Sequence, residues 1–279
     1  MKTTKLVFLL VLYLGVCSFS TAFTQQTEIT QFLAESPIPE GLRNAMKEAV
    51  AQHPDATVWS GQHEGILFAV VSEPLPKDKR FHLTAIQKAE LRAKYELLAS
   101  KAILDTFRAV RLDDLTALKA ALRKTQGNLE LTGRSQGVLW KSKALATCGA
   151  AYAYADASQL STTLKTDKNL ALIRTAYREE VHAGMKNHMA AKKWPEAEQA
   201  WEHLHHRQLL SQDLYLDATR CYVEQNQTPK AKSVLNEAAA TYQAIGDDQF
   251  FETLGDLFLE IQDEPSAMKM FEQAFERLR

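Results

Sequence analysis

Cysteine is scarce, at three residues in 279. No Cys-x-x-Cys pair, Gly-rich phosphate loop or His-Glu-x-x-His motif occurs, which removes the common sequence signatures of redox, nucleotide and zinc-hydrolase chemistry. A surplus of charge of one sign is also missing: 33 Lys+Arg stand against 34 Asp+Glu. A nucleic-acid partner wants a concentrated basic face, so none is expected. Long apolar runs are absent too. The longest, Leu6 to Val16, has eleven residues, too few to cross a bilayer, which takes about 20. Apolar residues are not scarce overall, at 46%, and that content predicts a packed core rather than disorder.

The short apolar run has a reading of its own. Lys2 and Lys5 precede it, and Ser18, Ser20 and Ala22 follow. This is the pattern of a secretory signal over residues 1–22, with cleavage expected after Ala22. Its removal would take the net charge from −1 to −3, since it holds two lysines and no acid. Leu14-Gly15-Val16-Cys17 offers a competing reading as a lipoprotein processing box, with lipid on Cys17; Val16 fits that box poorly. Cys148 and Cys221 would then remain, and they are expected as buried free thiols, Cys148 in a run of small apolar residues and Cys221 on a helix.

A phrase recurs near the other end: Pro195-Glu196-Ala197, Pro229-Lys230-Ala231 and Pro265-Ser266-Ala267. Four residues past each Ala stands a bulky apolar side chain, Trp201, Leu235 or Phe271. Three further on comes Leu204, Ala238 or Ala274. The Ala-to-Ala steps are 34 and 36 residues, the period of a stack of like supersecondary units. Each proline is placed to open a helix, where its missing N–H has no partner to lose. Upstream lies a second helical face in each unit. It reads Val181, Gly184, Met185 and His188, then Tyr215, Ala218, Thr219 and Tyr222, then Phe251, Leu254, Gly255 and Phe258.

Residues 178–279 on this pattern resemble tetratricopeptide repeats. The order Phe251, Leu254, Gly255, Phe258, Ala267, Phe271, Ala274 carries the resemblance best. It implies three helix-turn-helix repeats in an all-α solenoid over about 165–279. It also implies a groove lined by the first helices, whose polar residues would meet a protein or peptide. In the phase assigned above these are His182, Lys186 and Met189, then Asp217, Arg220 and Glu224, then Thr253, Asp256 and Glu260. Lys186 and Arg220 could hold a carboxylate or phosphate of the partner. The alternative is that three repeats form too shallow a groove and serve only as support.

Between signal and repeats, residues 23–160 read as a small α+β domain. Residues 40–52 make a short amphipathic helix. Thr57-Val58-Trp59 and Ile66 to Val71 make strands, a long helix runs from 82 to 109, and a further one from 112 to 122. Leu129–Leu131, Val138–Trp140 and Ala144–Ala155 read as strands. The Gly65–Val71 strand, the Ala89–Ala93 helix and the stretch from Gly133 to Asp156 are similar to a small α+β module of bacterial envelope lipoproteins and flagellar accessory proteins. That resemblance carries over no functional residue.

Candidate chemistry is thin. Gly133-Arg134-Ser135-Gln136-Gly137 matches the nucleophile elbow of serine hydrolases, but a strand rather than a helix is expected after it, so a hairpin turn explains the glycines better. His203, His205 and His206 crowd one helix end. His203 and His206 could share a metal, yet no third ligand is visible, and a solvated helix end suits the imidazoles. No metal, cofactor or catalytic residue is expected. The expectation is an exported, non-catalytic adaptor of the periplasm or cell envelope. Two readings compete with it: a lipid-anchored envelope structural subunit and, more distantly, a hydrolase built on Ser135.

Overall fold

A computed structural model of the chain describes residues 24–131 and 138–279. The expected signal segment, Cys17 and the Gly133–Gly137 elbow with Ser135 lie outside them. The chain forms two compact units that meet within one helix, between Ile173 and Arg174. The first is a mixed α+β body, and the second is helical.

The first unit begins with α1 (residues 24–34) and α2 (Glu40–Gln52). Strands β1 (Val58–His63) and β2 (Ile66–Pro74) form a hairpin, followed by α3 (His82–Leu98), α4 (Lys101–Arg108) and α5 (Leu115–Thr125). Strands β3 (Leu139–Ala144) and β4 (Cys148–Asp156) form a second hairpin, followed by α6 (Ala157–Leu164). The sheet is antiparallel throughout, in the order β1-β2-β4-β3.

Both faces of the central strands are covered, which is why β2 and β4 read as nearly continuous apolar runs. One face (Phe68, Val70, Cys148, Ala150, Tyr152) packs on Ile29, Phe32, Leu33, Leu42, Met46 and Val50 of α1 and α2. The other face meets α3, whose buried Ala85, Ala89 and Ala93 form a slim stripe. Gly149 sets that spacing: a Cβ there would lie 3.0 Å from the backbone N of Ile86 and 3.1 Å from the carbonyl carbon of Ala85. On the edge strand, Lys94 of α3 sits 3.7 Å over the Trp140 ring and pairs with Glu90, which accepts from Ser142.

Three sequence expectations change here. The long helix breaks at Ser100, whose extended backbone (ψ 148°) re-aims the next turn so that Ile103, Leu104 and Phe107 are buried together. Leu129 and Leu131 are buried but not in a strand. The Leu131 N–H donates to the Leu129 carbonyl, so the backbone turns where a ladder would need it extended. The helix expected at 112–122 starts at Leu115, because the Asp114 carboxylate accepts from the N–H groups of Thr116 and Ala117 and caps it there. Helix α1 carries Ile29, Phe32 and Leu33 into the core and has no counterpart in the sequence reading.

Helix α7 (Asp167–Ala190) crosses the division. The helical unit continues with α8 (Trp194–His205), α9 (Gln212–Glu224), α10 (Thr228–Tyr242), α11 (Asp248–Glu260) and α12 (Glu264–Arg277). The three prolines sit in the first turns of α8, α10 and α12, as the recurrent phrase predicts. Ahead of each stands one residue with left-handed backbone: Lys192 (φ 57°), Asn226 (φ 55°) and Gln262 (φ 62°). Each is flanked by the same pair of closing bonds. Lys193, Gln227 and Asp263 donate to the carbonyls of His188, Tyr222 and Phe258, while Lys192, Asn226 and Gln262 donate to those of Met189, Val223 and Leu259. These are Schellman closures, and they recur at the 34- and 36-residue steps of the sequence phrase. Ser211 and Asp247, also 36 apart, cap α9 and α11 by accepting from the N–H three residues on.

Packing follows the same period. Ala197, Trp201 and Leu204 are buried, as are Ala231, Leu235 and Ala238, and Ala267 and Ala274; Phe271 is half-buried. Gly255 is needed where α11 meets α12, since a Cβ there would lie 2.5 Å from the Phe271 ring. At the earliest copy a Cβ on Gly184 would meet nothing within 4 Å, so that glycine sets no close approach. Tyr222 and Phe258 are buried at equivalent places one turn before each closure.

Candidate functional site

The first helices of the hairpins carry the polar residues singled out in the sequence, and four of the five partner-site residues come together. His182 of α7 donates through Nε2 to Oδ2 of Asp217 on α9, at 2.8 Å. Lys186, one turn along α7, places Nζ 3.4 Å from the same oxygen. Arg220, one turn along α9, donates from a terminal guanidinium nitrogen to the other carboxylate oxygen at 3.3 Å. Asp256 does not join them: it is exposed on α11. Of the lesser groove positions, Glu224 and Glu260 are exposed, Met189 is half-buried, and Thr253 donates its hydroxyl to the Gln249 carbonyl.

Asp217 is the centre of the cluster. Its side chain keeps 12% of its surface, as does that of His182, whereas Lys186 keeps 55% and Arg220 51%. Burial pushes the carboxyl up. The hydrogen bond from His182 and the charge of Lys186 outweigh that, holding the group below its ordinary value of 3.8. A sunken anion thus contacts two half-exposed cations at level positions on neighbouring helices. A lysine ammonium has three donors and a guanidinium five, and the contacts to Asp217 use one from each.

The three histidines at the end of α8 differ from the solvated helix end the sequence suggested. His203 shares a 2.6 Å hydrogen bond with the hydroxyl of Tyr177, which is itself fully buried. His205 donates to both oxygens of Glu237 on α10, at 2.9 and 3.0 Å, and the Tyr215 hydroxyl donates to the same carboxylate at 2.8 Å. Only His206 is exposed. A helix end facing a neighbouring hairpin buries its polar groups, so they must find partners there. Burial and the neighbouring Glu237 push the Tyr215 hydroxyl up to about 12. Among the described residues, no group of three His, Cys, Asp or Glu is placed to hold a metal ion.

Cys148 and Cys221 are both buried free thiols. Burial pushes Cys148 up to about 11, which makes it a poor thiolate source. Among the described residues, no helix is long and apolar enough to cross a membrane.

The sequence placed His182 and Asp217 on one surface without pairing them. The signal was available: a 34-residue step puts position 183 level with 217, so 182 and 217 are neighbours on adjacent first helices. Glu237 was missed because its partners, His205 and Tyr215, come from two other helices. Compared with known proteins, the chain matches no protein-family model, no curated protein and no solved structure.

Proposed function

We propose that the chain is a non-catalytic adaptor whose C-terminal part is an array of three tetratricopeptide-type repeats, exported to the periplasm or cell envelope by residues 1–22. It binds a protein or peptide partner on the row of first helices. The cluster built on Asp217 carries this reading: Lys186 and Arg220, each half exposed, both contact an anion that solvent barely reaches. Two pre-positioned cations can meet a carboxylate or phosphate of the partner without first losing much side-chain freedom. The repeat assignment is supported by the recurring proline, left-handed turn and closing hydrogen bonds at steps of 34 and 36 residues.

The test is an affinity capture from detergent-solubilised envelope with wild type and with Lys186→Glu/Arg220→Glu. A partner kept by wild type and lost by the double variant, with helicity unchanged by circular dichroism, supports the groove. The same partner on both moves the binding surface to the α+β unit.

A further inference from the structure

Helix α3 lays Ala85, Ala89 and Ala93 on the sheet, and its opposite face carries apolar side chains where a solvated helix is ordinarily polar. Leu83 is 63% exposed and Leu91, two turns along, 44%. Phe81, in the 3₁₀ turn (Lys79–Phe81) that leads into the helix, is 54% exposed. Single exposed leucines are ordinary; three large apolar side chains on one stretch are a patch. Its surroundings are cationic. Lys77, Lys79 and Arg80 are exposed on the turn, and Lys88 and Arg92 on the helix. Two acids stand among these five, and each is taken up by an arginine: Arg80 donates to Asp78 at 2.7 Å and Arg92 to Glu73 at 2.9 Å. The surplus charge therefore falls on the three lysines. The turn is closed by its own hydrogen bonds. Asp78 accepts from the N–H of Arg80 through its side chain and from that of Phe81 through its carbonyl, and Nε2 of His82 lies 3.1 Å from the Pro76 carbonyl oxygen. With its polar groups so engaged, the turn leaves the Phe81 ring in water.

We infer that this face docks on the surface of an anionic lipid bilayer. Phe81, Leu83 and Leu91 sink into the headgroup boundary, while Lys77, Lys79 and Lys88 meet lipid phosphates. Two features select a lipid surface. The apolar side chains stand out on a turn and an outer helix face instead of lining a groove, and a fluid layer closes round them where a folded partner would need a matching pocket. The surplus cations are lysines, flexible point charges that suit a diffuse anionic field. Both guanidinium forks, which would read a single carboxylate or phosphate, are already engaged. Such a contact lies on the bilayer and does not span it. The patch belongs wholly to the first unit, so it stands whether or not the helical unit binds a partner through the Asp217 cluster.

Co-sedimentation of the full chain with vesicles tests this, using phosphatidylcholine alone and phosphatidylcholine mixed with phosphatidylglycerol. Wild type prefers the mixed vesicles, and added salt weakens the preference. Phe81→Ser/Leu83→Ser and Lys77→Gln/Lys79→Gln/Lys88→Gln each lower partition to the mixed vesicles roughly tenfold or more. Circular dichroism is unchanged in both, because these side chains face solvent. All variants carry the same Leu6–Val16 run, so the differences report the patch alone. Depth is read separately with Phe81→Trp: brominated acyl chains quench it beyond the quenching of the four native tryptophans. Equal binding to both vesicles, full binding by either multiple variant, or no added quenching of Phe81→Trp would each overturn the assignment. So would a single-stranded oligonucleotide that binds more tightly than the mixed vesicles and is lost in the lysine variant, which would make the patch a nucleic-acid surface.

Discussion

Asp217 shows how one residue can be costly alone and useful in company. Its carboxylate has lost most of its water, a penalty that three cationic or hydrogen-bonding neighbours offset. Because its value lies below the ordinary 3.8, the folded state binds its proton less readily than the unfolded chain. The resulting stability is therefore present in full above 3.8 and disappears as pH falls through the lowered value. Asp217→Asn is expected to cost about 1–3 kcal/mol at neutral pH, the range for losing hydrogen bonds to a buried charged group. Urea denaturation on both sides of the transition checks it: the gap between variant and wild type must close in acid. A gap that persists unchanged would mean that shape, and not charge, is what Asp217 supplies.

Among elements, the turns that close α7, α9 and α11 are governed by a single backbone angle. Lys192, Asn226 and Gln262 all take left-handed φ, which costs a residue with a Cβ roughly 1–2 kcal/mol and glycine very little. Gln262→Gly should raise stability by up to about 1 kcal/mol, reduced by the extra freedom glycine gives the unfolded chain; thermal denaturation reads the sign directly. These turns also mark what was legible in the sequence. The helices opened by Pro195, Pro229 and Pro265 could be read, because proline and period leave one solution. The break at Ser100 could not, since the residues around it favour helix and only the packing of Ile103 and Phe107 decides otherwise. The turn at Leu129–Leu131 was hidden for the same reason: two leucines two apart look like a strand whichever way the backbone runs. Helix α1 escaped because it adjoins the expected signal segment, and its three core residues gain meaning only against a sheet contributed from farther along. The Asp217 cluster was half legible, its members named but its pairing concealed by the 35 residues between His182 and Asp217.

At the scale of the whole molecule, the chain holds two cores of different construction. The sheet of the first is gripped on one side by large side chains from α1 and α2 and on the other by the small stripe of α3, where a Cβ at Gly149 would meet the α3 backbone itself. The helical unit has no such layer. Its hairpins meet through aromatic steps such as Trp201 with Tyr215. Substitutions at these two places should therefore loosen different parts of the chain. Gly149→Val forces the backbone of α3 away from β4, an overpacking worth about 1–3 kcal/mol. Trp201→Ala empties a buried site and should cost about 3–5 kcal/mol. Hydrogen exchange followed by mass spectrometry separates them. The first variant is expected to speed exchange in β2, β4 and α3 while leaving α9–α12 at wild-type rates, and the second does the reverse. Helix α7 is the element to watch, because its backbone ladder runs through the division at Ile173 and Arg174. If loosening in either core stops within α7, the helix frays locally and the two units open independently. If exchange rises along all of α7 and into the undisturbed unit, the two cores unfold as one body, and each variant would then lower the protection of both.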